Sequence, residues 1–223
     1  MEINGKFMKN KCKIYIVRHG ESLGNAQLMF LGHTDLDLSE LGHKQAEATA
    51  DFLSNVQIDG VYSSDLLRAY NTALPHAKMR GLAVDAREKL REVFVGDWEG
   101  KNCMEIADKY GDLYHFDWHY KYGTFVFPGG DSVIEAGKRF YDEIIAIAKE
   151  NIGKTVLIAS HWAVIRSSWA MICGISPEEV AEKLPFPTNA SVSILEFDGE
   201  KMIPKDYSID AHLSGVGITQ IKF

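Results

Sequence analysis

Apolar residues along the chain follow two rhythms. Ile14-Tyr15-Ile16-Val17, Val61-Tyr62 and Thr155-Val156-Leu157-Ile158-Ala159 are short continuous runs, the kind buried on both faces of a parallel sheet. Between them apolar positions repeat at helical spacing. Ala46, Ala50 and Leu53 stand at i, i+4 and i+7 behind Ser39, which predicts an N-cap. Phe140, Ile144 and Ile147 follow Ser132 and Glu135, spaced as a capping box. Ser176-Pro177-Glu178-Glu179 combines an N-cap, a first-turn proline and an N3 glutamate. Strands alternating with helices predict an α/β three-layer sandwich, its mainly parallel central sheet covered by helices on both faces. Ser191 to Phe197 alternates strictly, and Asp198-Gly199 then predicts a terminal hairpin with a strand near Met202.

One stretch breaks the rhythm. Residues 110–127 hold Tyr110, Tyr114, Phe116, Trp118, Tyr120, Tyr122, Phe125 and Phe127, and run into Pro128-Gly129-Gly130. With no repeat, low-complexity segment or linker in view, this reads as an insertion, about 101–130, within a single domain spanning 1–223. A lid over a site and a satellite core are equally compatible with it.

Composition narrows the function classes. Of 223 residues, 46% are apolar, enough for one substantial core. A net charge of −7 and a pI near 5.6 give no basic face for nucleic acid. Lys9, Lys11 and Lys13 read as a solvated lead-in to the first strand. No apolar run reaches the roughly 18 residues of a membrane span, and no signal-peptide core follows Met1. Cys12, Cys103 and Cys173 are odd in number and widely spaced, which points to unpaired thiols in a reducing cytoplasm. Oligomeric state is not legible.

Four segments each end an element on chemistry-bearing residues. Arg18-His19-Gly20 follows the first apolar run, where Gly20 gives the chain freedom to turn. Arg68 lies in the first turn of a helix after Ser63-Ser64-Asp65. Glu92 precedes a glycine-rich loop, Gly96-Asp97-Trp98-Glu99-Gly100. Ser160-His161 follows residues 155–159 at the next helix start. Parallel strands bring their carboxyl ends to one sheet edge, where ligands bind. Two arginines, two histidines, a carboxylate and the N–H groups of a helix start suit a small dianion.

Taken in order and spacing, these segments resemble the histidine phosphatase (phosphoglycerate mutase-like) superfamily. The likeness covers about residues 13–197: Arg18-His19-Gly20-Glu21-Ser22 with Asn25, Ser63-Ser64-Asp65 with Arg68, Glu92, Pro128-Gly129-Gly130-Asp131-Ser132, and Ser160-His161 with Arg166. The resemblance implies phosphoryl transfer through a phosphohistidine without metal or other cofactor, on a small phosphomonoester. It makes His19 the nucleophile and Glu92 the acid, then base. Arg18, Arg68 and His161 become ligands of the phosphoryl oxygens, and Asn25, Glu21 and Ser22 substrate contacts. A neutral attacking imidazole needs its other ring N–H held, and a backbone carbonyl nearby is the expected acceptor. His33, His43, His76, His115, His119 and His212 fit no motif; His115 and His119 fall in the possible lid.

Three rivals remain in view. A mutase resembling this fold carries a Glu-Arg-His-Tyr-Gly-type segment at the acid, where this chain reads Glu92-Val93-Phe94-Val95-Gly96. A catalytically silent binding protein on the same fold would not need every polar residue present. A metallohydrolase using His19 and His161 lacks close ligand spacing. One departure stands out: Trp162 follows the second histidine, where the family has a small residue. Its indole either joins the sheet–helix core, the commoner use of tryptophan at such a place, or walls the substrate pocket.

Overall fold

Six strands form one sheet in the computed structural model, which describes residues 11–118 and 121–219. They are β1 (Cys12–Arg18), β2 (Gly60–Ser63), β3 (Val84–Ala86), β4 (Thr155–Ser160), β5 (Val192–Phe197) and β6 (Met202–Ile209), in the order β3-β2-β4-β1-β5-β6. The first four run parallel; β5 lies antiparallel to β1 and to β6, giving the predicted hairpin. β3 was not expected: three residues with only Val84 half-buried leave no pattern to read.

The two-residue period of the strands divides the core between two faces. Ile14, Ile16, Val156 and Ile158 pack with Phe140, Ile144 and Ile147 of α5 (Val133–Glu150) and with Val164 and Ile165 of α6 (Trp162–Cys173). Tyr15, Val17, Leu157 and Ala159 face the other way. They meet Leu53, just past the end of α2 (Glu40–Phe52), and Ala73 and Ala77 of α3 (Leu67–Arg80). This is the three-layer sandwich.

Local signals were read with mixed success. Ser39 Oγ accepts the Gly42 N–H at 3.0 Å and starts α2 as expected. Ser176 and Glu179 form their box, Ser176 N–H donating to Glu179 Oε2 at 3.4 Å, on a short 3₁₀ turn that leads into α7 (Val180–Lys183). Ser132 is the N-cap of α5, yet its hydroxyl makes no capping bond. Its backbone instead bridges to Val126 across the preceding loop.

The aromatic stretch follows α4 (Cys103–Tyr110), and four of its rings join the core. Tyr114, Tyr122, Phe125 and Phe127 are buried, and Tyr114, Phe125 and Phe127 surround the Trp98 indole at centroid distances of 5.3–5.9 Å. His119, Tyr120 and Lys9 lie outside the described residues. Among the described residues, no helix is long and apolar enough to cross a membrane.

Candidate active site

Register builds the site. β1 pairs with β4 so that Arg18 lies opposite Ser160. The next residue on each strand is a histidine, and the two imidazoles sit side by side with centroids 5.2 Å apart, tilted by 60°.

His19 Nδ1 lies 2.7 Å from the Gly20 carbonyl, and a carbonyl can only accept, so Nδ1 carries the proton and the Nε2 lone pair is free. The backbone around it is fixed from three sides. His19 N–H donates to Ser160 O at 2.8 Å, Asn189 Nδ2 donates to the His19 carbonyl at 3.0 Å, and Gly20 N–H donates to Thr72 Oγ1 at 3.0 Å. Glycine is needed at position 20 for clearance, not for turning: a Cβ there would stand 2.5 Å from the Gly42 carbonyl at the start of α2. A Cβ on Gly42 would in turn collide with Glu21 O.

Both arginines are buried and anchored by backbone carbonyls. Arg18 Nη1 donates to Pro187 O at 2.6 Å; Arg68 donates to Thr34 O at 2.9 Å and Gly32 O at 2.7 Å. Among the described residues, neither guanidinium is in an ion pair. Burial pulls each down to about 10, which leaves both cationic at neutral pH. His19 is held well below its usual range by burial, then by the charges of Arg68 and Arg18. His161 is depressed in the same way, by burial first and Arg68 next. It is fully buried, and neither ring nitrogen has a hydrogen-bond partner among the described residues. Unspent hydrogen-bonding capacity of that kind is unusual in a folded interior and marks a place where a ligand is met.

Glu92 sits across from these groups, 5% exposed. Its Oε1 accepts from Val93 N–H at 2.9 Å and Val164 N–H at 3.3 Å, and Oε2 from Ala163 N–H at 3.1 Å. The N–H groups at the start of α6, expected to await a phosphate, are therefore taken by this carboxyl. Burial pushes Glu92 above the usual carboxylate range, against the opposing pull of those N–H bonds and of Arg68. Its carbonyl is clamped by Arg139 Nη2 and by the His33 ring, each at 2.9 Å.

Arg18, His19, Asn25, Arg68, Glu92 and Trp162 all line one open cleft of about 850 Å³. His161 lies beneath it. Glu21 and Ser22 do not reach the lining: Glu21 Oε1 accepts from Ser39 Oγ at 2.7 Å, and Ser22 caps α1 (Leu23–Ala26), its hydroxyl 3.1 Å from Asn25 N. They shape the loop that carries His19. Both readings offered for Trp162 find support, since the ring packs against the core and also lines the cleft. The indole is half-buried in the cleft wall, stacked on Tyr122 at 5.3 Å and 26° and met edge-on by Phe186 at 5.1 Å. Phe186, Pro187 and Asn189 were missed altogether. Pro185-Phe186-Pro187-Thr188-Asn189 reads as a turn-rich connection, and only its position beside β1 reveals its use. Among the described residues, no three His, Cys, Asp or Glu side chains gather as a metal site.

Comparison with known proteins decides the family. The model of the histidine phosphatase superfamily (branch 1) matches residues 14–210. The chain belongs to that superfamily. A metal-independent phosphoserine phosphatase of Arabidopsis thaliana is 35% identical over 213 residues, 95% of this chain and 87% of the relative. Phosphoserine phosphatase 1 of Hydrogenobacter thermophilus is 31% identical over 202 residues, 90% and 94% of the two chains. A solved mycobacterial glucosyl-3-phosphoglycerate phosphatase, complexed with VO3, superposes with a TM-score of 0.81 at 26% identity, covering 89% of this chain and 99% of that one. This histidine phosphatase is thus a metal-independent phosphomonoester hydrolase acting through a phosphohistidine.

Proposed function

We propose that this phosphatase hydrolyses a small phosphorylated metabolite in two steps, with His19 as nucleophile and Glu92 as proton carrier. The observation that carries the assignment is the His19 ring, neutral, with Nδ1–H committed to Gly20 O and Nε2 unoccupied. In the first step Nε2 bonds to phosphorus, the ester P–O bond breaks, and Glu92 gives its proton to the leaving oxygen. In the second step the Glu92 carboxylate takes a proton from water, the water oxygen bonds to phosphorus, and the N–P bond breaks to release orthophosphate. Arg18 and Arg68 neutralise the equatorial oxygens, with His161 donating from below. The incoming dianion raises Glu92 further and helps keep it protonated for the first step. Asn25 Nδ2, with no protein acceptor while its Oδ1 is engaged, adds a neutral donor. Unpaired Cys12, Cys103 and Cys173 fit a reducing, cytoplasmic setting.

The test is His19→Ala assayed with p-nitrophenyl phosphate and with rapid-quench phosphate labelling. Turnover is expected to fall by about a thousandfold or more, together with an acid-labile, alkali-stable label on the protein. Near-normal turnover, or a label that survives the substitution, removes His19 as nucleophile.

A further inference from the structure

The polar side chains of the cleft lining are few. Arg18, His19, Asn25, Arg68 and Glu92 gather at the strand ends, and the phosphoryl chemistry absorbs all of them. The remainder of the lining is apolar, apart from the backbone of Gly32. Leu28, Phe30, Cys103, Phe127, Trp162 and Phe186 are its principal side chains. Among the described residues, no Lys, Arg, Asp or Glu lines that part.

This wall is braced. Trp162 lies flat against Tyr122, which is itself fully buried with its hydroxyl donating to Ala163 O at 3.0 Å. Phe186 meets the Trp162 edge on one side, and its ring lies 4.1 Å from the Arg166 guanidinium carbon on the other. Arg166 is in turn fixed by Leu184 O at 2.9 Å and Val180 O at 3.0 Å. Phe186 nevertheless remains 40% exposed, and Leu28, also in the lining, is 39% exposed at a left-handed φ of +56°. Rigid aromatic groups kept wet at a cleft mouth are suited to contact with an apolar ligand.

Resting on the phosphatase reading above, we infer that the leaving group this chain selects is uncharged and apolar, an aromatic or branched alkyl alcohol held between Phe186, Trp162 and Leu28. An amino-acid phosphate would bring an ammonium and a carboxylate against these walls. Both would lose water and find no countercharge among the described lining residues, a cost that phosphate contacts, being common to all esters, cannot offset selectively. The inference thus separates this chain from what the names of its phosphoserine phosphatase relatives say of those proteins.

The experiment compares kcat/KM for 2-phenylethyl phosphate and O-phospho-L-serine, two alkyl esters whose phosphoryl chemistry is alike, in the wild type, Phe186→Ala and Leu28→Lys. The aromatic ester is expected to be preferred by about tenfold or more, the range that one well-filled apolar pocket supplies. Phe186→Ala should reduce that preference severalfold, mainly through KM of the aromatic ester. Leu28→Lys retains the backbone geometry of a side-chain-bearing residue and adds a cation, so it should shift the ratio toward phosphoserine. Thermal melts identify any variant that loses the fold, and the other variant then decides. Equal or better use of phosphoserine by the wild type, or a ratio that neither folded variant moves, overturns the inference while the phosphatase reading stands. Absence of turnover with both esters and with p-nitrophenyl phosphate overturns both.

Discussion

Glu92 concentrates the chemistry of the site in one side chain. Three backbone N–H groups favour its ionised form, and burial favours the neutral one; burial is the larger influence. A carboxyl poised in this way donates best where the departing oxygen is most basic. Glu92→Gln should therefore slow an alkyl phosphate by about a hundredfold or more and an aryl phosphate much less. Rate constants for a series of esters with graded leaving-group basicity check this, and parallel loss across the series would assign the proton to another group. At this scale the sequence was informative. His19, Arg18, Arg68, Glu92 and His161 stood out as candidates because each lies at or beside an element boundary, and such boundaries show in the hydropathy pattern. Glu21 and Ser22 share the same motif but hold a loop, a distinction that needs the positions of Ser39 and Asn25 in space. The choice between core and wall left open for Trp162 was not legible, because nothing local reports Tyr122, forty residues upstream, beneath its ring.

Among the elements, the loop after β1 and the start of α2 depend on each other most closely. Gly20 and Gly42 let two backbones touch, and Ser39 ties the two together by capping α2 and donating to Glu21. A methyl group at either glycine must push the His19 loop outward. Gly42→Ala is expected to destabilise the protein by about 1–3 kcal/mol, the usual cost of overpacking. It should also lower kcat, because His19 moves with the loop. Urea unfolding and steady-state kinetics on the same preparation measure both; unchanged kcat with normal stability would show that the loop tolerates the displacement. The longer strands and the helices α2, α5 and α6 were legible from the sequence, whereas β3 and the short helices α1 and α4 were not. The Ser132 box failed because a backbone bridge to Val126 outcompeted the local spacing rule, and such bridges belong to the fold.

For the whole molecule, the buried histidines set the response to acid. His76 of α3 is fully buried with both ring nitrogens unpartnered, and burial, with Arg80 nearby, pushes it down to about 3. His19 and His161 are depressed as well. In each case the unfolded chain takes up a proton near pH 6.5 and the folded one does not. Stability from this source is complete above about pH 6.5 and declines as pH falls, by about 1.4 kcal/mol per unit for each group while the folded form stays neutral. His76 is remote from the chemistry, so His76→Leu isolates one contribution. Its stability should fall less steeply than the wild type between pH 6.5 and 5, by up to that slope. Chemical denaturation across the range tests this, and identical slopes would mean that His76 titrates alike in both states.

The pairing of Arg18 with Ser160 across β1 and β4 also divides what substitution can alter in this protein. The distance between the two imidazoles is measured out by a backbone ladder buried in the middle of the sheet, and exchanging a side chain does not reset it. Other lining groups of the cleft come instead from residues 28–32, from the first residue of α4 and from the connection around residue 186, which the ladder does not constrain. Diversification of such a protein is thereby channelled: its repertoire of alcohols is open to revision one lining residue at a time, while the reaction performed on them is inherited intact with the sheet.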